Sequence, residues 1–374
     1  MRLGHLERFK ATLHVLSPLY IGSGIKLTKK EYLLDREKKS IGIIDLNRMI
    51  EYFMGIGKIK LFEAFFLDYK QTDLYAFLQL SGVPKTDYPK FIQYEIDPGA
   101  TLRSPKFHEL STFIKDSDNL PYIPGSSLKG LIRSAIIVKK LRESKPASDA
   151  TFRDIERGYG APFRSKTFLS REVATLEQKI FCNLDLSDTW SDRANEWTKG
   201  LKVSDSQPVG YENMILCAKI DRTTDGTDIE LPIYRECLKP GSIAPFTITL
   251  DRSICDFSGI TIPFIEKALN ELSMMQSTSF DRSFPKKEKD VPVPEGAIIL
   301  GGGAGFVGKS MLYSLQEEKQ KIVKIVQFLM EKQIPKHKHY QDGDKGISPR
   351  MQKTTKYGDR SWMMGRCKIT FENL

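Results

Sequence analysis

One stretch constrains this chain more than any other. Tyr122-Ile123-Pro124-Gly125-Ser126-Ser127-Leu128-Lys129-Gly130-Leu131-Ile132-Arg133-Ser134-Ala135 compresses a strand end, a tight turn and a helix start into one run. Pro124 and Gly125 break the strand, and Ser126 or Ser127 supplies a good N-cap. The first helical turn then has backbone N–H groups without intrahelical partners at the positive end of the helix dipole, a geometry suited to a phosphate. Leu128, Leu131, Ile132, Ala135 and Ile136 form the apolar stripe that docks the helix, and Lys129 and Arg133 stand four residues apart on its exposed face. A capped amphipathic helix with an incidentally basic face has the same signature, so the run fixes a β-to-α transition before it fixes a ligand.

At 374 residues the chain exceeds one typical core, and two domains are expected. Lys and Arg total 57 against 47 Asp and Glu, a net charge of +10 that suits a polyanionic partner. No apolar run approaches the roughly 20 residues that span a membrane, and the N-terminus lacks a signal-peptide core, which points to the cytoplasm. The five cysteines, Cys182, Cys217, Cys237, Cys255 and Cys367, are widely spaced with no C-x-x-C pair. They read as reduced thiols, with neither a disulfide framework nor a zinc site.

Residues Phe9 to Leu16 alternate as a strand that ends in the Gly-rich turn Ser17 to Gly24. Glu31 to Leu34 and Ser40 to Ile44 flank a charged turn as a hairpin. The period then becomes helical to Leu80, a helical insertion over about 46–90. Strand patterning returns at Phe91 to Ile96 and Lys106 to Ile114. After the Tyr122 motif, Glu143 to Lys166 reads as a flexible charged loop. Strands are predicted at Leu201 to Ser206, Met214 to Ile220, Ile229 to Glu236 and Ile243 to Leu250. Pro263 to Met275 is predicted as a helix, Ala297 to Leu300 as a short strand, Ser310 to Gln333 as a long helix and Arg366 to Phe371 as a final strand. The class is α+β, in two units: 1–210 and 211–374.

Gly303 to Ser310 satisfies the spacing G-x-x-x-x-G-K-[ST] in full, between the predicted strand and helix that normally confirm a P-loop. Too little chain follows for a P-loop NTPase, however. No apolar strand ending in a magnesium-binding Asp lies downstream of Ser310. The same glycines also permit close approach of an RNA backbone.

Four segments together resemble the RAMP superfamily of CRISPR effector complexes, and within it the fifth Csm subunits of type III-A complexes. They are Leu16 to Gly24, Tyr122 to Arg133, Val203-Ser204-Asp205-Ser206, and the Gly301 to Lys309 loop with a closing strand near Gly365 to Lys368. The resemblance spans nearly the whole chain and is most specific in the second segment. It implies two ferredoxin-like (RRM-like) domains and a subunit that caps the filament near the 3′ end of the guide RNA (crRNA). It also implies a part in guide maturation and antiviral defence, with the other Csm subunits and a recruited nuclease as partners.

A catalytic role finds little support in the residues. Asp35 and Asp45 are the acids nearest the position where filament relatives carry a nucleolytic Asp, and neither has a matching context. His14 lies mid-strand, and His337 and His339 read as an exposed basic loop without further metal ligands. The expectation is therefore a non-catalytic RNA-binding subunit without metal or cofactor, with a P-loop NTPase and a RAMP-type endoribonuclease as alternatives. Gly125, Ser126, Ser127, Gly301, Gly302, Gly303 and Gly305 would meet phosphates, with Lys129, Arg133 and Lys309 as charge partners. Phe306 and Tyr122 would stack bases, or serve as loop anchor and core.

Overall fold

The alternation in β2 (Leu6–Val15), which follows the short β1 (Arg2–Leu3), buries Phe9, Ala11, Leu13 and Val15 on one face. The structure, a computed structural model, describes residues 2–70, 73–99, 109–160, 169–189, 191–302, 305–308 and 310–373. β2 pairs antiparallel with β11 (Ile243–Asp251) on one side and β15 (Arg366–Asn373) on the other. β8 (Leu201–Val203) lies beyond β11, and β12 (Ile298–Ile299) beyond β15. Helices α4 (Gly125–Glu143) and α8 (Ile262–Ser279) pack together over the buried face. Chain order β2-α4-β8-β11-α8-β15 with sheet order β15-β2-β11-β8 is a ferredoxin-like βαββαβ circuit.

The second sheet has the order β14-β13-β9-β10-β7-β3. Its strands come as insertions into three connections of that circuit. β3 (Gly22–Leu27) and β7 (Glu109–Phe113) lie between β2 and α4, and β9 (Met214–Thr223) and β10 (Asp228–Leu238) lie between β8 and β11. β13 (Met351–Tyr357) and β14 (Arg360–Met363) lie between α8 and β15. Because β2 and β8 both run antiparallel to β11, and β15 antiparallel to β2, all three connections leave the same end of the first sheet. The insertions therefore meet there. Two ferredoxin-like units split at 210 are not what forms: a single circuit spans the chain, and each sheet takes strands from both sides of that boundary. Local patterning shows strands and helices, whereas their pairing depends on contacts hundreds of residues apart.

The helical insertion is present. β4 (Tyr32–Asp35), β5 (Ser40–Ile44) and β6 (Ile92–Ile96) form a three-stranded sheet, and α1 (Leu46–Gly55), α2 (Ile59–Leu67) and α3 (Leu74–Leu80) pack on it. Asp45 and Asp73 cap α1 and α3 by accepting backbone N–H bonds. Met49, Phe53, Phe62, Phe65 and Phe77 make a separate apolar core, with Phe65 and Phe77 stacked at 4.1 Å. Fully buried Glu236 joins this unit to the second sheet. Its carboxylate accepts bonds from Tyr94 Oη at 2.7 Å, Lys115 Nζ at 2.6 Å and the Phe113 N–H at 2.8 Å.

Two expectations fail locally. Instead of a loop over 143–166, α5 (Lys145–Gly160) forms, its Phe152 and Ile155 buried beneath a dense run of charges; 161–166 lie outside the described residues. α6 (Ser170–Phe181) and α7 (Arg252–Ser258) were likewise not anticipated. The helix expected from Ser310 begins only at Lys319, as α9 (Lys319–Gln333). Val307, Leu312, Tyr313 and Leu315 are buried along turns and a single 3-10 turn (Leu312–Ser314), and the Gln316 side chain is tied to the carbonyls of Leu141 and Arg142. Tertiary packing overrides the helical period there. Among the described residues no helix is long and apolar enough to cross a membrane.

Candidate nucleic-acid interface

The Tyr122 motif and the Val203 to Ser206 segment prove to be one joint. Ile123 exchanges bonds with Ser206, its N–H donating to Oγ at 2.9 Å and its carbonyl accepting from the Ser206 N–H at 2.9 Å. Pro124 occupies the N-cap position of α4, and neither Ser126 nor Ser127 caps it. The Gly125 N–H donates instead to Asp205 Oδ1 at 2.7 Å. A Cβ on Gly125 would overlap the Val203 carbonyl oxygen and sit 2.7 Å from Ser204, so only glycine lets the helix start this close to β8.

Lys129 and Arg133 are also engaged within the chain, which corrects the expectation of an exposed pair. Lys129 Nζ donates to the Thr198 carbonyl at 2.7 Å, and burial, then Arg133, holds its pKa below the usual lysine value. The Arg133 guanidinium lies over the Phe181 ring at 4.2 Å and binds Glu196, Thr198 Oγ1 at 2.7 Å and Glu177 at 3.3 Å. Burial opposes ionisation of Glu196, but bonds from Thr198 and Arg133 outweigh it and its carboxyl is lowered. Ser126 is exposed, and Ser127 and Tyr122 are half-buried.

The first and last glycine-rich segments meet at a second joint. The Gly302 N–H donates to the Tyr20 carbonyl at 2.8 Å, and Gly301, at φ +85°, packs so closely that a Cβ would overlap that oxygen. Gly365 donates to the Pro18 carbonyl at 2.9 Å, and Leu16 and Ser17 donate to the Arg366 carbonyl. Gly305 is exposed beside the second sheet, where a Cβ on it would sit 3.4 Å from the Lys353 side chain. Phe306 rests half-buried against the main core. Gly303 and Lys309 lie outside the described residues.

Beside Gly305, the face of the second sheet carries Lys219, Arg235 and Lys353, none of which the sequence reading singled out. They come from three strands and have no local spacing to betray them. The Arg235 guanidinium lies 4.9 Å over the Tyr20 ring, and Lys353 Nζ pairs with Asp221 at 2.8 Å.

The P-loop alternative loses its context. β12 pairs antiparallel with β15, and no α-helix follows the glycines until Lys319, only one 3-10 turn at Leu312–Ser314; Ser310 Oγ accepts from the Leu312 N–H at 3.2 Å. His14 bonds Thr370 Oγ1 across the first sheet at 3.0 Å. His337 is exposed, as expected, but His339 is buried, with Nδ1 2.8 Å from Asp342. Among the described residues no group of three or more His, Cys, Asp or Glu could hold a metal.

A ferredoxin-like circuit enlarged at one end, with glycine-rich segments clamped together beside a cationic sheet face, defines a class. The chain belongs to the RAMP superfamily, whose pattern it matches over residues 12–331. It is similar to the Csm5 protein of a CRISPR system in Mycobacterium tuberculosis H37Rv, 25% identical over 98% of both chains. The Csm5 protein of Enterococcus italicus is 24% identical over 87% of this chain and 86% of its own. The fold is shared with a chain of a Csm-crRNA-target RNA ternary complex from a type III-A CRISPR-Cas system, with TM-score 0.66 and 22% identity over 97% of this chain and all of that one. Csm5 from T. onnurineus gives TM-score 0.61 and 20% identity, covering 96% and 99%.

Proposed function

We propose that this chain is the Csm5-type subunit of a type III-A CRISPR effector complex, acting in the cytoplasm as a non-catalytic RNA-binding cap. It ends the filament near the 3′ end of the guide RNA and supports maturation of that RNA in antiviral defence. One observation carries the reading: correspondence with a Csm5 relative covers 98% of both chains, so the two share one architecture from end to end. A net charge of +10 and exposed Gly305 beside a cationic sheet face support RNA as ligand. Of the two expected phosphate sites, the start of α4 is taken by Asp205, whereas exposed Gly305 beside Lys353 supports the glycine loop as the better candidate.

The test is recovery through a tag on this chain from cells expressing the complex. The other Csm subunits and short RNAs with a common 3′ end are the expected co-purifying species. Recovery of the chain alone contradicts the reading. Metal- or His-dependent cleavage by the purified chain that a point mutation abolishes would promote the endoribonuclease alternative.

A further inference from the structure

The face of the second sheet beside Gly305 holds Lys219, Arg235 and Lys353, and among the described residues only Lys353 has a carboxylate partner. In the observed registers Arg235 on β10 stands opposite Cys217 on β9, and Lys353 on β13 opposite Asp221 on β9. Lys219 lies between those two rungs on the same face of β9. Lys219 is thus a diagonal neighbour of both Arg235 and Lys353 across adjacent strands, a relation of roughly 7–8 Å. Asp221, on the same face, is committed to Lys353 at 2.8 Å, and among the described residues Lys219 has no ion-pair partner. Burial, then Lys353, holds the Lys219 ammonium below its usual pKa. Exposed His337 is lowered too, by burial and then by His339, Lys353 and Lys219, so it borders the same cluster. Half-buried like charges that depress one another are poised to gain from an anion.

We propose that this face is a phosphodiester-binding site for single-stranded RNA, in which Lys219, Arg235 and Lys353 take backbone phosphates and Tyr20 positions the Arg235 guanidinium. The inference rests on the reading of the chain as an RNA-binding subunit and names where the strand lies. The cations are spread over three strands, which fits a run of phosphates, whereas a nucleoside triphosphate is cradled by donors converging from one loop. The Tyr20 ring is covered by Arg235, so the contact is to backbone and indifferent to base.

The test measures binding of a labelled oligouridine of about ten nucleotides, a length within the usual single-strand site size. Lys219→Gln and Arg235→Gln are each expected to weaken binding about tenfold at low salt. Each should also flatten the log–log salt slope by about 0.7 per phosphate lost. Asp221→Asn frees Lys353 and is expected to strengthen binding about two- to threefold, a gain that a purely structural role does not predict. Should a glutamine variant fail to fold, Asp221→Asn decides by sign: unchanged or weaker binding overturns the site. Unchanged affinity in both folded glutamine variants overturns it as well, even where the chain still recovers guide RNA from cells and the functional reading stands. Competition by micromolar magnesium-ATP, lost in Lys219→Gln, would make this a nucleotide site and overturn the proposal. Failure of the functional reading is distinct, since wild-type chain then recovers neither guide RNA nor Csm subunits.

Discussion

The carboxylate of Asp205 accepts the Gly125 N–H at 2.7 Å, so the chain itself supplies the anion at the start of α4. The proline-glycine-serine run is an architectural joint between α4 and β8. Replacing Asp205 by Ala should cost about 0.5–2 kcal/mol of stability, as loss of a helix cap does. Gly125→Ala should cost about 1–3 kcal/mol or more, because its Cβ meets backbone on the neighbouring segment, which cannot swing away. Urea denaturation measures both, and Asp205→Ala should leave RNA affinity per folded molecule unchanged.

The Lys129 and Arg133 pair supports the same joint from the next helical turn. Arg133→Ala removes bonds to Glu196, Thr198 and Glu177 and should destabilise by about 1.5–3 kcal/mol, the range for bonds to charged groups. Lys129→Ala, which loses one bond to the Thr198 carbonyl, should cost about 0.5–1.5 kcal/mol. A double variant with wild-type stability and reduced RNA binding would restore the pair to the exposed face on which the sequence placed it.

What the sequence revealed follows from the range of the forces involved. The Asp35 to Ser40 hairpin, the capped helices α1 and α3, and the alternation of β2 depend on neighbours within a few residues, and all were legible. The glycines of Gly125 and Gly301 stood out, but their reason did not. Each makes room for backbone from a distant segment, Val203 and Ser204 in one case and Tyr20 in the other. Lys219, Arg235 and Lys353 were invisible because only the pairing of β9, β10 and β13 brings them together. The missed strands β13 and β14 lie in a polar, basic stretch whose β character comes from pairing, β13 with β9 and β14 with β13.

Gly301 and Ser310 separate a structural clamp from a nucleotide loop. Gly301→Ala forces a left-handed backbone on a side chain and drives it into the Tyr20 carbonyl, so it should lower thermal stability and disrupt RNA binding together. Ser310→Ala should be near-silent, within about 0.5 kcal/mol, because no helix begins there and its hydroxyl makes one local bond. Calorimetry should detect no ATP binding at sub-millimolar concentration. Micromolar magnesium-ATP affinity lost on Ser310→Ala would contradict this.

Lys115, just past β7, and Glu236 on β10 form a buried ion pair at 2.6 Å, with side-chain exposures of 11% and 0%, on the carboxylate that also takes Tyr94 of the insertion. Lys115→Met leaves a buried carboxylate uncompensated and should cost about 3–5 kcal/mol. Adding Glu236→Leu should recover much of the loss, since apolar replacement of both partners is often neutral. Denaturation of the two variants measures the difference, and equal instability in both would show that Glu236 is held by Tyr94 and Phe113 without need of Lys115.

If this chain ends a guide-bearing filament, its presence should set where the guide RNA stops. The complex should be assembled in cells with and without the chain, and the 3′ ends of the co-purified guide RNAs sequenced. With the chain present the ends should fall at a common position. Without it they should shift to longer or ragged lengths, and the double variant Lys219→Gln with Arg235→Gln should reproduce part of that shift. Identical 3′ ends and identical subunit content in the presence and absence of the chain would contradict the account.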